Sequence, residues 1–126
     1  MNAEESPEEN KKRDLKSRTK EYALRIVDVF TALPKSTEAQ VLGKQLLRSG
    51  TSVGANYREA GRARSKAEFV AKMGDCLKEL DETAYWLELV VQAKILPNPR
   101  LKTLLEETNE LIAIFVTIIK NTKERM

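Results

Sequence analysis

The sequence predicts an all-α protein, an antiparallel up-down-up-down four-helix bundle, from three observations. Apolar residues return every three or four positions along four long segments. Short breakers around Pro34, Gly61 and Pro97 separate those segments, and connections that short leave consecutive helices as antiparallel neighbours. The chain has 126 residues, 41% hydrophobic and 33% charged, with only 5 Gly and 4 Pro, which suits one core-forming domain with few turns.

Residues 1–10 are acidic, contain Pro7 and lack apolar periodicity, so they read as a disordered tail ahead of a single bundle domain over 11–126. In the first helix, Leu15, Thr19, Tyr22, Ile26, Val29 and Leu33 share one face, and Pro34 ends it. Ser36 and Thr37 are candidate N-caps for the second helix, which carries Leu42, Leu46, Ser49, Val53, Tyr57 and Ala60 and stops near Gly61. Ser65 with Glu68 three residues later forms a capping-box pattern before Phe69, Met73, Leu77, Leu80, Ala84, Leu87 and Val91, with Pro97 and Pro99 closing that helix. Asn98 caps the fourth helix, Pro99 opens it, and Leu101, Leu104, Leu105, Thr108, Leu111, Ile112, Phe115, Ile118 and Ile119 form its wide apolar face. Ile114 and Val116 lie outside that stripe, a surplus that reads either as a subunit contact or as ordinary exposed apolar surface.

Composition excludes several chemistries. With no histidine there is no Ser-His-Asp triad, no Cys-His pair and no histidine-bearing metal site; the single Cys76 excludes an intrachain disulfide and reads as an apolar filler. The longest apolar run, 111–119, is too short to cross a bilayer and no secretory signal is seen, so a cytoplasmic protein without cofactor, metal or membrane partner is expected. The carboxylates Asp75, Glu79 and Glu82 share a face of the third helix, a pattern that fits salt bridging better than a hard-cation site. Gly50 and Gly54 lie in a stretch that matches no phosphate-binding glycine loop, and close helix packing accounts for them.

The net charge is only +3, but the cations are clustered. At 100° per residue Lys44, Arg48, Arg58 and Arg62 fall in one narrow arc of the second helix opposite its apolar stripe, and Arg64 and Lys66 continue it around the corner. Such a stripe either tracks a phosphate backbone or is a solvated helix face. Lys44, Arg58, Arg62, Arg64 and Lys66 are the expected phosphate contacts. Between arc and core run Ser52, Asn56 and Glu59, expected to form a structural polar network across the bundle with Arg48, which is a candidate partner for Glu59, as is Arg62.

The run Arg48-Ser-Gly-Thr-Ser-Val-Gly-Ala-Asn-Tyr-Arg-Glu-Ala-Gly-Arg-Ala-Arg-Ser-Lys-Ala-Glu-Phe69 and the segment Leu77-Lys-Glu-Leu-Asp-Glu-Thr-Ala-Tyr-Trp-Leu87 resemble the bacterial 23S ribosomal RNA intervening-sequence proteins. The likeness is detailed over the second and third helices, and the first and fourth agree in length and apolar pattern. Family hallmarks fall on Arg48, Ser52, Asn56, Glu59, Ala60, Ser65, Glu68, Phe69, Leu77, Glu79 and Glu82, while Gly54 stands where many relatives carry proline. The resemblance implies an up-down-up-down bundle assembling as a homopentamer, encoded in many members within insertions in large-subunit ribosomal RNA genes. It also implies kinship with the accessory proteins of diversity-generating retroelements, pentamers that bind nucleic acid and associate with a reverse transcriptase. The expectation is a non-enzymatic, oligomeric protein binding nucleic acid with low sequence specificity. The alternative is a scaffold or accessory subunit for a protein partner, using the acidic third-helix face and the wide fourth-helix face.

Overall fold

The computed structural model describes the backbone of residues 7–97 and 99–126, with side chains from residue 15 onward except at position 98. Its elements are α1 (Pro7–Ala32), α2 (Thr37–Ala60), α3 (Lys66–Gln92) and α4 (Pro99–Glu124), with no strand among the described residues. Because α1 begins at Pro7, residues 7–10 of the expected tail are helical. Proline is well suited to a first helical turn, where its missing N–H would have no partner anyway. Residues 1–6 of that tail, and Asn98 as the cap of α4, lie outside the described residues.

The caps follow the sequence in most places. The Ser36 hydroxyl accepts from the Ala39 N–H at 3.4 Å, Gly61 caps the end of α2, and the Ser65 hydroxyl accepts from the Glu68 N–H at 3.0 Å. The capping box is half formed, since the Glu68 carboxylate accepts from the Arg64 N–H at 3.4 Å. α3 ends before the prolines are reached. Ile95 N–H donates to Val90 C=O at 3.2 Å and Lys94 N–H to Val91 C=O at 3.1 Å, a Schellman turn with Lys94 at φ 55°. That left-handed position is usually glycine, because a Cβ there crowds the following carbonyl. Lys94→Gly is expected to raise stability by up to about 1 kcal/mol. Urea unfolding checks this, and a lower midpoint in the variant would show the lysine to be preferred there.

Helices adjacent in sequence pack side by side, while α1 and α4 approach less closely and are joined by long side chains. Arg18 donates to both carboxylate oxygens of Glu107, at 3.2 and 2.6 Å, and Arg25 donates to Thr103 at 3.0 Å. Across the diagonal, Tyr57 of α2 meets Phe115 of α4 edge-on, ring centroids 5.8 Å apart. Every expected core residue of α1 is buried, as are Leu46, Ser49, Val53, Tyr57 and Ala60 of α2. Gly50 and Gly54 lie where α1 comes close. A Cβ at Gly50 would meet the Ile26 side chain at 2.7 Å, and one at Gly54 would meet Thr19 at 3.3 Å.

The core also holds a polar layer with one hydroxyl from each helix. Tyr22 shares a 2.5 Å hydrogen bond with Thr108, and the Thr83 and Ser49 hydroxyls share one at 2.9 Å. Thr108 and Thr83 also reach the carbonyls of Leu104 and Glu79, four residues back on their own helices. Burial pushes the Tyr22 hydroxyl far above its ordinary pKa, so it remains a neutral donor.

Candidate nucleic-acid interface

The basic arc of α2 is solvent-facing because Leu46, Val53 and Tyr57 on the opposite side of the helix enter the core. Lys44 and Arg58 are exposed on α2 itself. Beyond its end the chain keeps turning tightly, with Arg62 N–H donating to Glu59 C=O at 3.0 Å and Ala63 N–H to Ala60 C=O at 3.1 Å. Arg62 and Arg64, both exposed, thereby follow Arg58 directly at the α2–α3 corner. Among the described residues the side chains of Lys44, Arg58, Arg62 and Arg64 make no ion pair. Arg18, by contrast, is held by Glu107 and lies 3.6 Å from Glu110. An unpaired cation can meet a phosphate without first giving up a carboxylate.

Of the expected basic set Lys66 makes a contact of its own, as does the neighbouring Lys72. The Lys66 ammonium donates to the Arg125 carbonyl at 3.1 Å, closing the C-terminal end of α4. Lys72 pairs with Glu59 at 3.1 Å, and that hydrogen bond raises the lysine pKa.

The expected network of Arg48, Ser52, Asn56 and Glu59 is not continuous: Arg48 and Glu59 each bond separately to α3, and Ser52 and Asn56 bond within α2. Arg48 turns toward α3 and bridges Glu79 at 3.3 Å and Glu82 at 2.7 Å, and its pKa is raised first by the hydrogen bond to Glu82 and then by the Glu79 charge. Glu59 stands eleven positions further along the same helix, about 16 Å away along the axis, beyond an arginine's reach. It is exposed and satisfied by Lys72 rather than by Arg48 or Arg62, so this surface pair adds little to stability. Ser52 donates to the Arg48 carbonyl at 2.6 Å and Asn56 to the Ser52 carbonyl at 3.0 Å, both within α2. The buried side-chain hydrogen bonding between helices belongs to the Tyr22, Ser49, Thr83 and Thr108 layer. Its sequence signal is a hydroxyl set in the apolar stripe of each helix.

The acidic face of α3 is weaker than its sequence suggests, since Arg48 bridges Glu79 and Glu82 and offsets one of their two charges. No group of three or more His, Cys, Asp or Glu side chains that could hold a metal ion occurs among the described residues. Cys76 is buried, and desolvation pushes its thiol up to about 12, leaving the weakly nucleophilic protonated form. Among the described residues no helix is long and apolar enough to cross a membrane. What the arrangement offers chemically is a convex row of unpaired cations on a rigid helix.

No curated protein matches the chain. A crystal structure from Bacteroides thetaiotaomicron, described as a protein with unknown function from the S23 ribosomal protein family, is 38% identical, with a TM-score of 0.81. The match covers 87% of this chain and 98% of that one. The model of the family described as 23S rRNA-intervening sequence protein matches residues 11–117. On both grounds this four-helix bundle belongs to the 23S rRNA-intervening sequence protein family.

Proposed function

We propose that this chain is a non-enzymatic, cytoplasmic, homo-oligomeric protein that binds nucleic acid through the phosphate backbone. The observation that carries the reading is the exposed group Lys44, Arg58, Arg62 and Arg64, without ion pairs among the described residues, in a bundle whose Arg18 and Arg48 are both tied to carboxylates. The family's description, which places its proteins with the intervening sequence of 23S rRNA, supports nucleic acid as the anion. Flexible cations on a convex helix reach phosphates and do not read base edges in a groove, so sequence preference is low. A pentamer, as the family resemblance implies, would repeat the cationic face around a ring and multiply its field. The scaffold alternative loses support from the pairing of Glu79 and Glu82 and from Ile114, Ile118 and Ile119, which are half-buried against the core, leaving Val116 exposed.

The double substitution Arg58→Ala and Arg62→Ala is expected to weaken binding to unrelated RNA sequences alike. It should flatten the slope of log affinity against log salt by about 0.7 to 0.9 for each phosphate that is no longer neutralised. Binding equal to the parent at low and moderate salt would make this face a solvated surface and bring the scaffold reading forward. Light scattering is expected to give a mass near five times the 14.3 kDa of one chain. A monomer at micromolar concentration would remove the assembly from the proposal.

A further inference from the structure

At the corner where α2 hands over to α3, the contact between the Lys66 ammonium and the Arg125 carbonyl seats the last turn of α4 beside the end of the basic arc. Along α4, Arg100 and Lys102 open the helix, Glu106, Glu107 and Glu110 follow, and Lys120 and Lys123 stand near its end with Glu124. Lys120 and Lys123 are three residues apart and therefore on one side of the helix. They line a shallow groove with Leu77, Val116, Ile119 and the carboxylate of Glu124, and both are exposed, with no ion pair among the described residues, so the groove keeps a net positive charge. The helix dipole accounts for a cation in the last turn, where Lys123 stands, but its effect falls off before Lys120.

Granted the nucleic-acid reading above, we infer that the binding surface turns this corner onto α4, with Lys120 and Lys123 as a second group of phosphate ligands, and that the ligand is a duplex. α2 and α4 stand at diagonal corners of the bundle, roughly 14 Å between axes when neighbouring helices pack at up to 10 Å. α3, which packs on both helices and contributes Leu77 to the groove, lies between the two cation groups. Two backbones facing each other across the wide, shallow minor groove of an A-form duplex can meet both groups, whereas a single strand must curve around the corner to do so. Proteins that hold single strands add aromatic platforms for the bases. Here the exposed aromatic Tyr85 lies nineteen residues along α3 from Lys66, about 28 Å away. Phosphate contacts without stacking are the mode by which a regular duplex is held.

The test measures fluorescence anisotropy of the full chain with an RNA duplex of about 16 base pairs and with one of its separated strands, across a salt series. The parent is expected to bind the duplex about tenfold tighter than the strand. Lys120→Gln with Lys123→Gln, which keeps side-chain length and helix propensity, is expected to lower duplex affinity at unchanged mass and helicity. The salt slope should fall by about 0.9 for each phosphate left without its lysine. Lys102→Gln, at the opposite end of α4, is expected to leave affinity and slope unchanged. Duplex binding equal to the parent in the Lys120/Lys123 variant, with affinity reduced in the Arg58/Arg62 variant, would overturn the α4 assignment and leave the proposed function standing. Parent-like binding in both variants would overturn the function itself. Equal affinity for strand and duplex would overturn the duplex assignment, and an equal loss in the Lys102 variant would reduce the effect to net charge.

Discussion

Phe115→Ala is expected to lower the free energy of unfolding by about 3 to 5 kcal/mol. The ring is fully buried in α4 and meets Tyr57 of α2 edge-on at 78°, so it fills the space between diagonal helices that do not pack directly on one another. Such a void does not close easily, because moving α4 inward would disturb its packing on α3 and its bridges to α1. Burial has pushed the Tyr57 hydroxyl up to about 12, and removing the ring beside it loosens that desolvated setting. Urea unfolding followed by circular dichroism measures the loss. Val116→Ala, one position along and 47% exposed, is expected to change stability by less than about 0.5 kcal/mol. A Phe115→Ala loss as small as that of Val116→Ala would show that the diagonal contact is not part of the folded core.

Gly50→Val is expected to cost about 3 kcal/mol, at the upper end of ordinary overpacking. A Cβ alone at this position would stand 2.7, 2.9 and 3.0 Å from three carbons of the Ile26 side chain. Ile26 is fully buried and β-branched, so it has no alternative rotamer into which to retreat. α1 and α2 must therefore separate, and the substitution acts on the whole seam. The remedy is specific: Ile26→Ala makes room, so a double-mutant cycle of Gly50→Val with Ile26→Ala should show a favourable coupling of more than about 0.5 kcal/mol. Strict additivity would mean that the two positions do not press on each other.

The fold was legible because four amphipathic stripes and their breakers each agree with one architecture. The stripe positions Leu15 to Leu33, Leu46 to Ala60 and Leu101 to Phe115 are buried as their spacing predicts, apart from half-buried Leu105 and Ile112. Spacing misled along α3, where the buried stripe is Met73, Cys76, Leu80, Thr83, Leu87 and Val90, so that of the expected residues Leu77 and Ala84 are half-buried and Val91 is 43% exposed. Both stripes keep the helical period, and packing against the neighbouring helices selects the one through Cys76, Thr83 and Val90; beyond it the Schellman turn draws the chain back, and Ile95 packs against that core. Of the site, the exposed row was legible and its membership was not. Whether a cation is free depends on what the facing helix offers, and α3 presents Glu79 and Glu82 to Arg48 and Lys72 to Glu59. The partner of Lys66 is 59 residues away in the chain. The rise of an α-helix, however, excludes an Arg48–Glu59 pair from residue numbers alone.

The hydroxyl layer bears on which folds this chain declines. Two leucine-lined helices can slide past each other by one turn and still bury oil against oil, so an all-apolar bundle has neighbouring registers of similar energy. Here a slip of about 5.4 Å would carry Tyr22 or Ser49 away from Thr108 or Thr83 and set it against Leu104, Leu111, Leu80 or Leu87. Thr83 and Thr108 would keep their own-helix carbonyls, but Tyr22 has no such carbonyl and would lose its partner. A dry, orphaned phenol costs about 1 to 3 kcal/mol, enough to empty a competing register. The layer acts as a vernier mark, and a paralogue or design that replaced all four hydroxyls with methyl groups would gain in greasiness what it lost in singularity of form.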